Sequence, residues 1–312
     1  SGEIYANALQ SQVQAERSTL AAVLAASCNL GCQAGSEDTP GAIWMSFVGD
    51  YSSPSSDAFS SGYKNSSQGL AIGATVYNNG KLQLGFAGSY VENEVVSIMG
   101  ARAKSPSVAA YAYTHYLPSD KVKLSAAIGL SKAETSVTRT VATANGPVSA
   151  ASEKKSTGLM LNAAASYRIF ENGPLTLWSD AGIELSDTSM NSLRESASNP
   201  DYALDVGRAG HASLQTRLGA RLELNSDNLQ ITTSANWLHE LADNPVGHRE
   251  ISLGDADWAV TGVHARRDGF RLGIQGGLRL SGKALLFGGY QYTDHGSGYS
   301  YGRVNAGVKM AF

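Results

Sequence analysis

Two periods divide the chain. Residues 2 to about 27 are rich in Ala, Leu, Gln and Glu, with no Gly or Pro after Gly2, and the stretch predicts a helix. Its first part is polar (Glu3, Asn7, Gln10, Gln12, Gln14, Glu16, Arg17) and its end, Leu20 to Ala26, is apolar. From Ile43 onward the period is two. Leu82, Leu84 and Phe86 alternate with Lys81, Gln83 and Gly85. Val122, Leu124, Ala126 and Ile128 alternate with Lys121, Lys123, Ser125 and Ala127. Further rows are Leu175–Leu185, Leu214–Leu224, Phe270–Leu280 and Val304–Phe312, each opposed by charged residues, amides or glycines. Such alternation marks strands with one apolar face.

A single strand of this kind suits a soluble sandwich equally well. Three features favour a membrane barrel. Many segments exceed about 10 residues, against 5 or 6 for soluble strands. The polar face carries both signs of charge and many glycines. Connections alternate between tight (Asn78-Asn79-Gly80, Pro118-Ser119-Asp120, Glu171-Asn172-Gly173, Ser226-Asp227-Asn228) and loose (Ser52–Gly62, Ile98–Lys104, Thr143–Glu153, Asp243–Asp255). The pattern predicts an all-β membrane fold, an antiparallel outer-membrane β-barrel of about twelve strands. The expected spans are 42–52, 63–78, 81–97, 105–117, 120–141, 153–170, 174–191, 203–225, 228–241, 257–280, 283–294 and 299–312. The division expected is a linker helix over 1–33 threading the pore and a barrel over 34–312. The helix would span about 40 Å at ~1.5 Å per residue, enough to cross the membrane core. Its polar residues suit a lumen of mixed charge better than lipid. A periplasmic helix outside the barrel is the alternative.

Composition agrees. Glycine is abundant at 34 residues and proline scarce at 8, which suits many twisted strands. The net charge of −3 gives no attraction to nucleic acid. No stretch reaches the ~20 apolar residues of a membrane helix, and mean hydropathy is slightly negative. A barrel strand shows lipid only every second side chain, so neither observation counts against a barrel. Cys28 and Cys32 fit redox or zinc spacing poorly. A local disulfide needs a non-helical turn between them, which Gly31 can supply; two free thiols at a helix end are the alternative.

Bare charges facing lipid would cost ~2–4 kcal/mol near midplane. Lys123, Asp180, Glu184, Arg217, Arg221, Glu223, Arg271, Arg279, Arg303 and Lys309 stand opposite the leucine rows and are therefore expected to line the pore. Catalytic motifs are absent. His239-Glu240 is not followed by the second histidine of a zinc helix, and no G-x-S-x-G elbow occurs. No cofactor, metal site or catalytic residue is expected.

The chain resembles the autotransporter (type V secretion) β-domain family over most of residues 41–312. Ile43-Trp44-Met45-Ser46-Phe47-Val48-Gly49-Asp50-Tyr51 resembles that family's first strand. Gly69–Ala74 and Leu84–Tyr90 are similar to its second and third, and Ser213–Leu222 to a central strand. Trp237–Leu241 and Arg267–Ile274 are similar to later strands, and Val304–Phe312 to the closing one. The resemblance implies a twelve-stranded barrel with an α-helix in the pore, delivering an upstream passenger domain across the outer membrane as a monomer. The chain starts in the presumed linker helix, so a processed product is expected. Partners implied are outer-membrane lipid and lipopolysaccharide, the passenger, and the barrel assembly machinery, which would read Val308, Met310 and the terminal Phe312. Some family members cut the passenger off at an Asn-Asn pair in the helix; here Asn7 is followed by Ala8, so that route is not expected. Two other roles stay open, a stand-alone porin or adhesin and an outer-membrane phospholipase. The latter would use His211 and Ser213, which share a strand face, on the lipid side. Neither needs an N-terminal helix.

Overall fold

The computed structural model describes residues 2–28, 41–58, 60–242, 248–281 and 283–312. One helix, α1 (Glu3–Cys28), precedes twelve long strands. These are β1 (Ala42–Ser52), β2 (Tyr63–Asn78), β3 (Leu82–Ser97), β4 (Arg102–Ser119), β5 (Val122–Thr143) and β6 (Gly146–Asn172), followed by β7 (Leu175–Met190), β8 (Ala209–Asn225), β9 (Leu229–Glu240), β10 (Asp268–Arg279), β11 (Ala284–Asp294) and β12 (Ser300–Ala311). Each strand pairs antiparallel with its chain neighbours, and β1 pairs with β12 from Ala42↔Ala311 to Ser52↔Tyr301. The sheet closes on itself, so every ladder hydrogen bond is made within the wall and no edge meets lipid.

Closure turns period two into inside and outside. Along β1, Ile43, Met45 and Phe47 face out while Trp44, Ser46, Val48 and Asp50 are buried. The same parity puts Leu70, Ile72, Leu84, Phe86, Leu218, Leu222, Leu272, Ile274, Val308 and Met310 on the outer surface. Tyr77, Tyr116, Tyr167 and Phe170 stand outside near the tight turns, and Tyr51, Trp237 and Phe270 near the opposite rim. Aromatic residues at both rims of an apolar belt fit the two interfaces of a bilayer.

Three expected boundaries move. The connection Thr143–Glu153 is not a loop. The β5–β6 ladder continues to Thr143↔Gly146 and reverses at Ala144-Asn145, with Gly146 at φ 108°. Its projecting part is mostly polar and small, needs no lipid-facing row, and so lacks the apolar alternation that marks the other strands. The expected strand 257–280 is split. Ala256–Thr261 pairs instead with His248–Leu253 across a Gly254-Asp255 turn, inside the connection expected to be loose, and β10 begins only at Asp268. Asp205–Val206, expected within the eighth strand, joins the same separate four-stranded sheet, so β8 begins at Ala209. The alternation over 248–261 is real, but Ile251 and Val260 point at the start of α1 rather than at lipid.

The helix lies inside the barrel and packs against β1–β8 and β12. Most of its residues are buried on all sides, including Asn7, Gln10, Gln12, Gln14 and Glu16. Its first turn lies at the rim of long connections, packed with Ile4 and Tyr5 against Leu204, Val206, Ile251 and Val263. Its last turn lies at the tight-turn rim, beside Gln83 and Lys309.

A closed wall of this kind resists SDS until heated. The protein folded in detergent is expected to migrate differently in SDS gels before and after boiling. Equal migration, or folding in buffer without detergent, would contradict the barrel.

Candidate functional site: the helix inside the lumen

A polar helix buried on every side must find partners for its side chains, because an unpaired buried polar group costs about 1–3 kcal/mol. In α1 those partners come in three tiers. At the long-loop rim, the Glu3 carboxylate accepts from the Ser61 amide (2.8 Å). Tyr5 Oη donates to Glu195 (2.7 Å), and Arg139 holds the same carboxylate through Nε (2.7 Å) and Nη2 (2.5 Å). Around the tier lies the apolar cluster that includes Tyr63, Val95, Val137 and Tyr299.

The middle tier is polar. Gln10 Nε2 donates to the Val263 carbonyl (2.8 Å), and Gln14 Nε2 to Asp50 (3.2 Å). Glu16 sits in a socket of hydroxyls, accepting from Ser131 (2.6 Å), Thr188 (2.7 Å) and Ser186 (3.4 Å). Gly158 makes room for it, since a Cβ there would stand 2.6 Å from Glu16 Oε1. Arg17 donates to Ser213 (2.9 Å), Gln215 (2.5 Å) and Glu184 (3.3 Å). Glu184 gathers three guanidinium groups, from Arg17, Arg217 (3.5 Å) and Arg271 (2.7 Å), with its side chain only 6% exposed. Nearby His295, in the β11–β12 connection, is pushed down to about 4 by burial and by the charges of Arg17 and Arg271, so it stays neutral.

At the tight-turn rim the helix ends on a cation. Lys309 Nζ donates to the Ser27 carbonyl (2.7 Å), and Gln83 Nε2 donates to the same oxygen (3.3 Å). The last carbonyls of a helix carry partial negative charge, so a lysine there is favourable. Ser27 Oγ meets His115 Nε2 at 2.8 Å. One face of this half, with Leu20, Val23 and Ala26, packs on Trp44, Tyr111, Tyr113, Met160 and Phe287.

Of the residues expected to line the pore, Glu184, Glu223, Arg271, Arg303 and Lys309 are buried on the lumen side. Lys123, Asp180, Arg217 and Arg221 are half-buried there. Lys123 and Arg221 pair with Glu223, and Arg221 also holds Asp180 (3.1 Å). Arg279 shares the inward parity but ends its strand exposed at the tight-turn rim. Val308 and Met310 face outward, and the exposed Phe312 donates its amide to the Gly41 carbonyl (3.1 Å). Cys28 closes α1, while Cys32, for which the sequence leaves both a disulfide with Cys28 and a free thiol open, and the 33/34 boundary lie outside the described residues. His211 and Ser213 do share a face, but it is the inner one. Both are buried, and Ser213 donates to Glu240 (2.6 Å), so this Ser–His pair does not face lipid. Asn7 is buried in the second turn of α1.

Sequence reading missed several participants. Asp50 points inward beside Arg303 and accepts from Gln14, Asn65 and Ser67. Its position in β1, opposite Gly49 and Tyr51 in parity, was a usable signal. Glu195 had none, because it lies in an irregular stretch and meets Arg139 only in three dimensions.

The model of the Autotransporter beta-domain family matches residues 43–291. No curated protein sequence matches the chain. Among solved structures, the translocator domain of the autotransporter NalP from Neisseria meningitidis superposes with a TM-score of 0.79 at 15% identity, covering 100% of each chain. The transport unit of the autotransporter AIDA-I from Escherichia coli gives 0.62 at 16%, covering 97% of this chain and 99% of that one. The β domain of the Bordetella autotransporter BrkA gives 0.58 at 14%, covering 88% and 100%. At these identities the likeness is one of fold.

The Glu184 cluster generates a prediction. Removing one member of a buried charge cluster leaves the others uncompensated, a loss of about 3–5 kcal/mol. Glu184→Gln is expected to lower stability by that order in urea titrations of the detergent-folded protein, and Ser67→Ala by about 1 kcal/mol. A Glu184→Gln effect no larger than that of Ser67→Ala would remove the cluster from the account.

Proposed function

The chain belongs to the autotransporter β-domain family, and we propose from that membership that it anchors an upstream passenger in the bacterial outer membrane and helps deliver it to the cell surface. The observation that carries this reading is the direction of α1. It runs from the long-loop rim at Glu3 to the tight-turn rim at Cys28, so a polypeptide joined before Glu3 would stand on the long-loop side. In outer-membrane barrels long loops face outside and short turns face the periplasm. Residues 1–33 act here as the linker and 34–312 as the anchor, with the inward charges serving as pore lining.

A porin reading is less well supported, since a porin needs an open lumen and α1 occupies this one. Transport is the role the family gives; the inward placement of His211 and Ser213 offers no lipid-facing hydrolase. The same reading assigns two contacts outside the chain. Lipid and lipopolysaccharide would meet the outer apolar belt, and the barrel assembly machinery would meet the row Val308, Met310 and Phe312.

The test has two readouts. Removing residues 1–33 is expected to raise single-channel conductance severalfold in planar bilayers. A small folded reporter fused before Glu3 is expected to become accessible to protease on intact cells. Conductance unchanged by the deletion, or a reporter protected in the periplasm while the barrel sits in the outer membrane, would overturn the proposal. In the same cells, deleting Phe312 is expected to reduce barrel insertion while sparing refolding in micelles; normal insertion would remove the assembly contact.

A further inference from the structure

The lower half of the lumen is not filled by the helix. Between the small face of α1 at Ala21, Ala22 and Ala25 and the wall from β4 to β12 lies a cavity of about 250 Å³. It reaches the level of Lys123 and Gln230, beside the tight turns. Two rows of the wall explain why it is there. One runs Arg221↔Ser234↔Gly273↔Gln291↔Arg303, and the next Glu223↔Thr232↔Gln275↔Gly289↔Asn305. Gly273 and Gly289 each leave one inward position of the wall without a side chain. A Cβ on Gly273 would stand 2.8 Å from Ser234 Oγ, and one on Gly289 3.2 Å from Asn305 Oδ1.

The chemistry around this hollow is one-sided. Five cations line it: Lys123, Arg217, Arg221, Arg271 and Arg303. Its two carboxylates are already engaged, Asp180 by Arg221 and Ser166 and Glu223 by Arg221, Trp178 and Lys123. Glu184, behind the wall of the cavity, is held by its three arginines, and Asp50 by Gln14, Asn65 and Ser67. Three of the residues that line the cavity each keep a buried side-chain N–H without a partner among the described residues: Arg217 Nε, Arg303 Nε and Asn305 Nδ2. Arg303 is 5% exposed, pairs in register with Asp50, and among the described residues donates to Gln291 through Nη1 at 3.2 Å. All three orphans are donors. Buried donors without acceptors are costly, and guanidinium groups match the forked oxygens of phosphate-like anions.

We propose that this cavity is a binding site for a small water-soluble oxyanion of the phosphate class, held by Arg217, Arg303 and Asn305 between α1 and the Gly273–Gly289 wall. The closed barrel separates the site from lipid, so a phospholipid headgroup is not its source. An oxyanion there would offset the excess of positive charge left by three arginines on the single Glu184 carboxylate. It would thereby steady the half of the helix that lacks a polar partner on this side. The inference stands on the lumen geometry and holds whether or not the chain secretes a passenger.

The test uses the full chain refolded in phosphate-free, non-ionic detergent, with inorganic phosphate as the probe. The midpoint temperature of the heat-modifiable gel shift is followed as phosphate replaces chloride at constant ionic strength, and binding is measured by calorimetry. A saturable rise in midpoint with phosphate is expected. Arg303→Lys, which keeps the charge but loses the fork, should weaken phosphate binding about tenfold. Asn305→Asp, which puts a carboxylate into the cavity, should abolish it. Lys81→Gln, at an exposed turn, should bind as the parent does. Each variant counts only if its unboiled band shows the folded mobility, and the two lumen variants are independent of each other. Equal effects of phosphate and chloride would overturn the site. So would phosphate binding that survives both lumen variants, or phosphate binding that appears only after short-chain phospholipid is added.

Discussion

A charged helix can rest inside a membrane barrel only if the wall supplies what water would have supplied. In this protein the requirement converges on Glu184, whose carboxylate is shared by Arg17 of α1, Arg217 of β8 and Arg271 of β10. Burying such charges is costly, and their mutual attraction compensates only when geometry is good and the remaining donors are satisfied. Gln215 and Ser213 take up the other Arg17 bonds, and the adjacent Glu16 finds three hydroxyls on another part of the wall. The position of the helix in the pore therefore follows from the wall's inward residues, and these from the register of the barrel. A one-residue slip in β7 would turn Glu184 to lipid and Ile183 to Arg17.

The barrel works by separating two environments with one periodicity. Outward leucines, isoleucines and aromatics provide the lipid surface, while inward positions hold the helix. The rim at the long connections adds a second device. The sheet formed by Leu193–Arg194, Asp205–Val206, His248–Leu253 and Ala256–Thr261 closes over the start of α1, with Ile251 and Val260 packed against it. The upper helix is thus held by apolar contact and the Arg139–Glu195–Tyr5 network, the middle by charge, and the lower end by Lys309 and Trp44. Fixing the helix at three levels explains how a sequence whose first half mixes polar and apolar residues on every face is ordered inside the barrel.

Much of this was legible in the sequence. The helix and the twelve strands follow from period and from the absence of Gly and Pro in residues 3–28. Alternation failed as a guide where its purpose changed. Along Thr143–Glu153 the strands continue beyond any lipid, so no apolar row marks them. Along His248–Thr261 apolar residues alternate to bury the helix end. His211 and Ser213 were correctly paired on one face, but parity alone does not say which face is inner; the neighbouring Leu214 and Leu218, one of them plainly exposed, decide it. Contacts such as Arg139–Glu195 and Lys309–Ser27 join residues far apart in the chain, and no local pattern encodes them.

The central claim is that α1 is held as part of the wall's own structure. Hydrogen exchange of the α1 backbone amides, read residue by residue in the detergent-folded protein, tests it most directly. The account predicts that amides from Gln10 to Leu24 exchange as slowly as those of β1–β8. It also predicts that Glu184→Gln speeds them while the strand amides stay protected. Fast exchange throughout α1 in an intact, heat-modifiable barrel would contradict it.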